Sequence, residues 1–456
     1  MLDLFFLGFV ALFLFAGFKR PFLLVLAYTY IDIVAPQKVS WGVLAHIPIS
    51  LIAFLAAFGA WLLVDDKRGT RFSFRQVLLV LLLAYCGMTT LGADFPDEAL
   101  EKWAWVWKAL LFAIFLPLTL RTRLRIESLA LIMVLSIGVI VIGGGIKTLA
   151  GGGGYQTLKL LVNDNNGLYE GSIISCVAIA VVPLIVWLVR HGTVFPQSKA
   201  TILFALALAF ACLLMPVGTQ ARTGLVCAAV LALISLRTVK HRALYLGVLG
   251  LAALIATPLL PDSFTKRMST IENHSSDQSA STRVAVWKWT IEYAKAHPLG
   301  GGFEVYRQNK LVYETVEKSS AGDNNVSFDS EQIVEAGRAF HSSYFEMLGE
   351  QGYPGLALWL MLHGLGVWQM EILRRRFGKR RDADFVWIAP LANALQQSQI
   401  VYLVGSLFVG IAFQPFCYML VGLQCGLWSY ARRVERRAPA PAVPINPRRR
   451  VALPAT

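Results

Sequence analysis

Long apolar runs follow one another along almost the whole chain and restrict its possible folds more than any other feature. Most are long enough to cross a hydrocarbon core of about 30 Å as helices, some of them with local membrane thinning. Hydrophobic residues make up 56% of the 456 residues and charged residues only 15%, and the mean hydropathy is +0.57. These values are typical of membrane proteins. The sequence therefore predicts an all-α polytopic membrane protein with about 12 or 13 transmembrane helices.

The helix count is open at the N-terminus. The apolar runs Leu2–Phe18 and Pro21–Val34 are short, and only Lys19 and Arg20 separate them. They form either a broken hairpin of two spans or one span with a surface segment, and the second arrangement leaves 12 spans.

One long polar stretch, residues 261–353, interrupts the apolar runs. Titratable groups concentrated beside the bilayer in this way are typical of an active site. The sequence therefore divides into an N-terminal transmembrane bundle (1–260), a large loop with active-site helices (261–353), C-terminal transmembrane helices (354–431) and a disordered basic tail (432–456).

Lysine and arginine residues predict the orientation in the membrane. Basic connectors alternate with neutral or acidic ones along the chain. The basic connectors are Asp65–Arg75, Arg121–Arg125, Arg190–Lys199, Arg237–Arg242, Arg374–Arg381 and the C-terminal tail. Because positively charged connectors stay on the cytoplasmic side, we expect these segments and the C-terminus in the cytoplasm. The large loop then faces the periplasm across a bacterial inner membrane.

The formal net charge of +14 does not indicate a nucleic-acid partner. The basic residues form short clusters between apolar spans, so the partner that they predict is the lipid bilayer. The six cysteines lie in or beside apolar segments, and none falls in the large loop. The sequence therefore predicts no disulfide framework and no metal site.

Arg222 is the first candidate site residue, in the sequence TQARTG between two apolar spans. The polar connector is so short that the guanidinium must lie at or just inside the outer membrane face. Holding an arginine there costs about 2.5 kcal/mol or more unless an anion or a water-filled cavity receives it. Two interpretations stay open: a phosphate ligand, or an interface arginine that reaches out to water.

Arg283 is the second candidate, in the sequence STRVAVWKW. Ser281 or Thr282 can cap a helix here, which would put Arg283 in the first turn. A cation is favourable at that position only where it and the helix end share an anion such as phosphate. The apolar side of this helix, which includes Trp287, is suited to lie against the bilayer.

A glycine-rich turn follows that helix. Pro298 ends the helix, and Gly300, Gly301 and Gly302 allow a tight turn without side chains. The turn either lets the backbone approach a ligand, which would make Gly301 a substrate contact, or has a structural role alone.

His341 is the third candidate, and Arg338 precedes it by three residues. A helix running from about Ser342 into the next span would place His341 at its outer end. A histidine there can accept a proton from an attacking hydroxyl or hold that hydroxyl by a hydrogen bond, although a lone histidine is usually structural. Glu346 and Glu350 either orient a sugar or face solvent.

Taken together and in order, TQARTG, STR followed by tryptophan, PLGGGF and HSSYFEMLGEQGYPG resemble the O-antigen ligase and polymerase superfamily. KRPFLLVLAYTYIDIVAPQKVSWG, NDNNG and RMSTIENHSSDQSASTR are similar to its O-antigen ligase-like branch associated with exosortase systems. The chain departs from the family in having TQART where a Ser-x-Ser-Arg turn is common, and in a long insert, Glu314–Glu335.

The resemblance implies an integral-membrane glycosyltransferase of the GT-C type. Such an enzyme takes a glycan from undecaprenyl diphosphate and transfers it, with inversion and without metal or cofactor, to a hydroxyl of lipid A-core. Arg222 and Arg283 would bind the diphosphate, and His341 would activate or position the acceptor hydroxyl. Our predicted substrate-binding set comprises Arg222, Arg283, Arg338, Gly301 and Trp287.

Two other enzyme activities use the same donor and stay open as alternatives: polymerisation of O-antigen units and transfer to protein hydroxyls. A non-catalytic polysaccharide transporter is disfavoured. The sequence has no visible inverted repeat, and its charges group outside the membrane rather than along a path at mid-membrane.

Overall fold

The computed structural model of the protein describes residues 2–39, 43–67, 70–150, 167–247, 250, 278–321 and 325–437. Helices dominate these residues, as the sequence predicted. Buried apolar side chains form two large cores between the helices and a small third core around Val286, Tyr293 and Phe340. The small core lies beside the candidate site.

The N-terminal part of the chain supplies the larger number of helices. They are α1 (Leu2–Lys19), α2 (Phe22–Val34), α3 (Pro36–Val39), α4 (Val43–His46), α5 (Ile49–Leu63), α6 (Phe74–Leu91), α7 (Pro96–Thr119), α8 (Arg123–Ala150), α9 (Gly171–His191), α10 (Lys199–Gly218) and α11 (Arg222–Ser235). Residues 242–247 and 250 are also helical, and residues 251–260 of the predicted N-terminal bundle lie outside the described residues.

The C-terminal part carries the polar loop and the last helices. Its elements are α12 (Gln278–Ala296), β1 (Lys310–Ala321), β2 (Asn325–Ala336), α13 (Ser343–Phe377), α14 (Ile388–Gly405) and α15 (Pro415–Arg437). Short 3-10 turns occur at Gly167–Tyr169, Leu236–Thr238 and Val305–Gln308.

Local sequence signals explain where two of these helices begin. The Ser73 hydroxyl accepts the Gln76 backbone N–H, and the Gln76 side chain accepts the Ser73 N–H at 2.8 Å, which forms a capping box before α6. At the start of α7, Pro96 is followed by Asp97 and Glu98. Acidic side chains in a first turn are stabilised by the helix dipole.

Six helical segments among the described residues are long and apolar enough to cross a membrane: Phe22–Val39, Phe74–Leu91, Arg123–Ala150, Gly171–His191, Lys199–Gly218 and Ser343–Phe377. The chain is therefore a mostly helical, polytopic membrane protein. The count of 12 or 13 spans stays a prediction.

Basic connectors that the sequence assigned to one side of the membrane meet at one end of the bundle. Arg121 pairs with Asp66 at 2.9 Å, and the Arg433 guanidinium donates to the Arg121 carbonyl. Ion pairs also join Arg125 to Asp65, Arg376 to Glu435, and both Arg237 and Arg374 to Glu371. We call this the basic end, and the opposite end, where α13 begins, the site end.

A β-hairpin departs from the predicted all-helical fold. Strands β1 and β2 pair antiparallel, in a register that runs from Lys310 opposite Ala336 to Ala321 opposite Asn325. They contain the insert Glu314–Glu335. Val312 and Val316 are four residues apart and Val326 and Phe328 are two apart, a spacing that fits strands but does not produce a long apolar run.

The last helix extends beyond its predicted boundary. We expected the transmembrane part to end at residue 431 and a disordered tail to follow, but α15 continues to Arg437. In the sequence ARRVERR, the arginines and the glutamate favour a helix and the valine tolerates one. Residues 438–456, the remainder of the predicted tail, lie outside the described residues.

Candidate active site

His341 lies directly before α13 at the site end. The helix begins at Ser343 with Ser342 as its N-cap residue, as the sequence predicted. The backbone of His341 has a φ angle of 47°, in the left-handed region that a Cβ makes unfavourable. The residue is exposed, so a substrate can reach the imidazole.

His341 is one of four non-glycine residues with a positive φ angle in the part of the chain that the structure describes. Among the described residues, positive φ angles at non-glycine positions occur at Ala35, Gln220, Glu304 and His341. Gln220 lies in the turn that carries Arg222, and Glu304 follows the glycine turn. Such conformations cost about 1 to 3 kcal/mol each and cluster at functional sites because the surrounding structure holds them.

Two anchors hold the backbone on either side of His341. On one side, the Trp287 indole N–H donates to the Phe340 carbonyl at 2.9 Å. On the other side, the Ser343 N–H donates to the Ser406 carbonyl at 2.8 Å, and its hydroxyl donates to the Val409 carbonyl at 3.0 Å. These bonds fix the position of the histidine relative to α12 and to the loop after α14.

Trp287 packs on protein rather than on lipid. Its ring stacks on Phe345 with 4.9 Å between centroids. Val284 and Ile291 on the same helix are exposed, so only part of the side that we expected to face the bilayer remains accessible. The role of Trp287 in substrate binding stays a prediction.

Arg283 lies in the second turn of α12, not in the first as predicted. The helix begins at Gln278, so Ser281 and Thr282 are helical residues and not caps. Serine and threonine cost only a modest amount of helix stability at interior positions. The helix can therefore begin in the polar segment before them. The position still lies beside His341, because Trp287, one helical turn after Arg283, donates to the carbonyl of Phe340, the residue before His341.

Burial and neighbouring charge lower the pKa of His341 from its usual value. The largest cause is the loss of water around the part of the ring that faces protein. The positive charges of Arg283 and Arg338 lower the pKa further, whereas Glu170 raises it. The imidazole is therefore neutral at pH 7 and able to accept a proton.

Arg222 occupies the first position of α11, in the short turn that the sequence predicted. Thr219 in this turn is hydrogen-bonded to Ser175 at 2.7 Å between hydroxyl oxygens. The turn also packs closely on Gly171, where an added Cβ would lie 3.1 Å from the Thr219 Cβ. Gly171 follows Glu170, so the Arg222 turn adjoins the residue whose charge acts on His341.

Arg338 and Gly301 have partners within the protein. The Arg338 guanidinium pairs with Glu335, with 2.5 Å between Nε and a carboxylate oxygen. The Gly301 N–H donates to the Gly349 carbonyl at 3.1 Å, and its carbonyl accepts the Asp94 N–H at 2.9 Å. A Cβ at Gly301 would lie 2.2 Å from the Tyr293 hydroxyl, which explains the glycine by packing. Substrate contact by either residue stays a prediction.

Lys102 is a charged residue beside the site that sequence reasoning missed. Its ammonium lies 2.8 Å from carboxylate oxygens of both Glu346 and Glu350. We had left these glutamates open as sugar ligands or solvent-facing groups, but both are buried. Glu98, four residues earlier on the same helix face, offers Lys102 a local partner, so the sequence carried no signal for the distant carboxylates.

No group of three or more His, Cys, Asp or Glu residues is arranged for a metal ion in the part of the chain that the structure describes. The prediction that the site needs no metal stays a prediction.

The arrangement combines a neutral, reachable imidazole with guanidinium groups at the outer end of a helical bundle. Guanidinium groups bind phosphate oxygens through two parallel hydrogen bonds. A neutral imidazole accepts a proton from a hydroxyl nucleophile. The residues are therefore suited to transfer a group from a phosphorylated donor to a hydroxyl.

Comparison with known protein families divides the chain in two. Residues 1–193 match a family of unknown function (DUF5935), and residues 204–360 match the family model described as O-antigen ligase. The second match includes Arg222, Arg283, Arg338 and His341. No curated protein matches the chain. The exosortase-associated branch stays a prediction, but the O-antigen ligase match over residues 204–360 confirms the wider resemblance in that part of the chain.

Proposed function

We propose that this protein is a membrane glycosyltransferase that moves a glycan from undecaprenyl diphosphate to a hydroxyl of lipid A-core. The observation that carries the proposal is the proximity of His341 and Arg283 at the site end, with the strained His341 backbone held between two anchors. The match of residues 204–360 to the O-antigen ligase family model supports the reaction class. The specific donor and acceptor are part of the proposal.

The protein has to supply only a proton acceptor and positive charge to this reaction. The acceptor oxygen attacks the anomeric carbon of the donor sugar, the bond from that carbon to the phosphate oxygen breaks, and the hydroxyl proton passes to His341 Nδ1 or Nε2. The departing undecaprenyl diphosphate keeps the electron pair of the broken bond. Arg222 and Arg283 neutralise the negative charge that grows on it. A single displacement of this kind inverts the anomeric configuration.

The membrane placement follows from the charge distribution. Basic connectors favour the cytoplasm, and their ion pairs join them at one end of the bundle. The site end then faces the periplasm, where a finished glycan on its lipid carrier and lipid A-core meet. We propose a bacterial inner-membrane location with a cytoplasmic C-terminus, and a GT-C type of architecture.

Transfer by the purified protein tests the proposal. The assay mixes protein in lipid nanodiscs with undecaprenyl-diphosphate-linked glycan and lipid A-core, with and without EDTA. We expect glycosylated lipid A-core in both reactions, since guanidinium groups take the charge-neutralising role.

Other outcomes point to other acceptors. Elongation of the donor glycan without lipid A-core would replace the proposal with polymerisation, and glycosylation of an added protein alone would replace it with protein transfer. Loss of turnover in EDTA that returns with a divalent cation would contradict the metal-free reaction.

A further inference from the structure

A buried charge cluster lies beside the candidate active site. Lys102 reaches Glu346 and Glu350 at 2.8 Å and Glu304 at 4.0 Å. The exposed fractions of the Lys102, Glu346 and Glu350 side chains are 12%, 9% and 0%. Breaking such a buried pair leaves an uncompensated charge, so these groups stay together in the folded protein. We call Lys102, Glu304, Glu346 and Glu350 the Lys102 cluster.

The Lys102 cluster joins four separate parts of the chain. Lys102 lies near the start of α7, Glu304 follows the glycine turn, and Glu346 and Glu350 lie in the first turns of α13. One Glu346 oxygen also accepts the Ala412 N–H at 3.1 Å, which adds the loop after α14. One Glu350 oxygen accepts the Glu304 N–H at 3.1 Å. The carboxylates therefore bind backbone groups as well as the lysine.

Glu346 and Glu350 belong to a short helical segment with a sharp boundary at each end. The α13 helix is kinked at Gly352, where φ is 62°, and His341 before the helix has a φ of 47°. A Cβ at Gly352 would lie 2.3 Å from the Pro298 carbonyl oxygen, so the kink is packed tightly against the end of α12. Residues 343–351 thus form a separate rigid piece with His341 at its outer end.

The glycine turn fixes the inner end of this piece. The Gly302 N–H donates to the Glu350 carbonyl at 2.9 Å, and the Tyr353 N–H donates to the Pro298 carbonyl at 3.0 Å. The Lys102 cluster holds the middle, at Glu346 and Glu350. The segment cannot shift or rotate without breaking ion pairs that are shielded from water, where they are stronger.

We propose that Lys102, Glu346 and Glu350 are positioning residues that hold His341 at the distance at which it receives the acceptor proton. The proposal rests on the glycosyl-transfer function argued above. The burial of both carboxylates excludes direct contact with a sugar in this conformation. Lys102 acts through the segment 343–351 and does not touch the substrate.

Kinetics of Lys102→Met test the proposal. A displacement of about 1 Å of a catalytic group lowers the rate about 10²-fold, so we expect kcat to fall by about that factor. KM for the lipid-linked donor should stay within about threefold, because Arg222 and Arg283 lie on other helices. The acid limb of the pH profile should not move, since the Lys102 cluster is not among the charges that shift the pKa of His341.

Two companion variants make the result specific. Lys102→Arg keeps the charge and should recover most of kcat, which a direct proton-transfer role of the lysine would not allow. Lys295→Met removes an exposed lysine whose partner Glu292 is also exposed, and its kcat should equal that of the wild-type protein.

Glu346→Gln covers the case in which Lys102→Met does not fold. This variant keeps the side-chain volume and an oxygen for the Ala412 N–H, but it turns an amide group toward the Lys102 ammonium. We expect a lower kcat at unchanged KM in the folded protein. Wild-type kcat in folded Glu346→Gln, or an effect confined to KM, would overturn the positioning role while wild-type transfer still supports the proposed function. Absence of transfer by the wild-type protein would instead overturn the function itself.

Discussion

Two groups of charged residues lie on either side of the start of α13, and they have opposite balances. In the Lys102 cluster, three carboxylates surround one buried ammonium. Around His341, the guanidinium groups of Arg283 and Arg338 act together on one imidazole, with Glu170 as the opposing charge. The first group is closed to solvent, whereas His341 is exposed.

This difference in exposure and charge balance indicates that the first group stabilises the fold and that the second group binds a ligand. Buried charges need their partners within the protein, because water cannot solvate them. Positive charge at a site that solvent reaches can attract an incoming anion. The account therefore assigns stability and alignment to the Lys102 cluster, and donor binding and chemistry to the His341 site.

The largest expected effect is loss of transfer in variants of the open site. Replacing Arg222, Arg283 or His341 with alanine should lower kcat/KM by about 10²- to 10³-fold, since removal of one group that stabilises developing charge has an effect of that size. Unfolding temperatures should stay close to the wild-type value. Near-normal transfer by all three folded variants would contradict the assignment of donor binding and chemistry to the His341 site.

Variants of the buried cluster, unlike those of the open site, should lose stability in addition to kcat. Glu350→Ala leaves the Lys102 ammonium with one partner fewer and should cost about 3 to 5 kcal/mol in the free energy of unfolding. Glu292→Ala removes an exposed carboxylate and should cost less than about 1 kcal/mol. Denaturant unfolding in detergent micelles measures both, and equal losses would show that burial does not distinguish the two groups.

The backbone of His341 gives a smaller effect of opposite sign. His341→Gly removes the Cβ that makes a φ of 47° unfavourable, so it should be more stable than His341→Ala by about 1 kcal/mol. Both variants should lack transfer activity. Equal unfolding free energies of the two variants would mean that the backbone at this position is not strained.

The smallest expected effect is a pair of opposite shifts in the pH dependence. Transfer requires neutral His341, so activity is lost as the pH falls through the pKa of the imidazole, which lies below its usual value. Glu170→Gln removes a charge that raises this pKa and should move the acid limb to lower pH. Arg338→Gln removes a charge that lowers it and should move the limb to higher pH. Shifts in the same direction would contradict the assignment of His341 as the proton acceptor.

The sequence predicted what local signals determine. The start of α13 next to His341 agrees with the predicted start at about Ser342. The short turn with Arg222 follows from the brief polar gap between apolar runs. The first turn of α12 was wrongly predicted, because Ser281 and Thr282 lie inside the helix instead of capping it. The β-hairpin was missed because hydropathy does not detect strands of mixed polarity.

The Lys102 cluster could not be read from the sequence for a different reason. Lys102 and Glu346 are 244 residues apart, and only the tertiary fold, in which α7 and α13 both pack on α6, brings them together. An i,i+4 pair such as Glu346 and Glu350 fits an exposed helix face as well as a buried one. Tertiary packing alone decides between the two.

Binding of undecaprenyl diphosphate to the protein in nanodiscs, measured beside transfer, tests the central claim most directly. One guanidinium–phosphate contact contributes about 1.5 to 3 kcal/mol, so Arg283→Ala should weaken binding about tenfold or more. His341→Ala should bind the lipid as the wild-type protein does and transfer no glycan. Normal lipid binding by Arg283→Ala, or glycan transfer by His341→Ala, would contradict the division of roles between arginine and histidine.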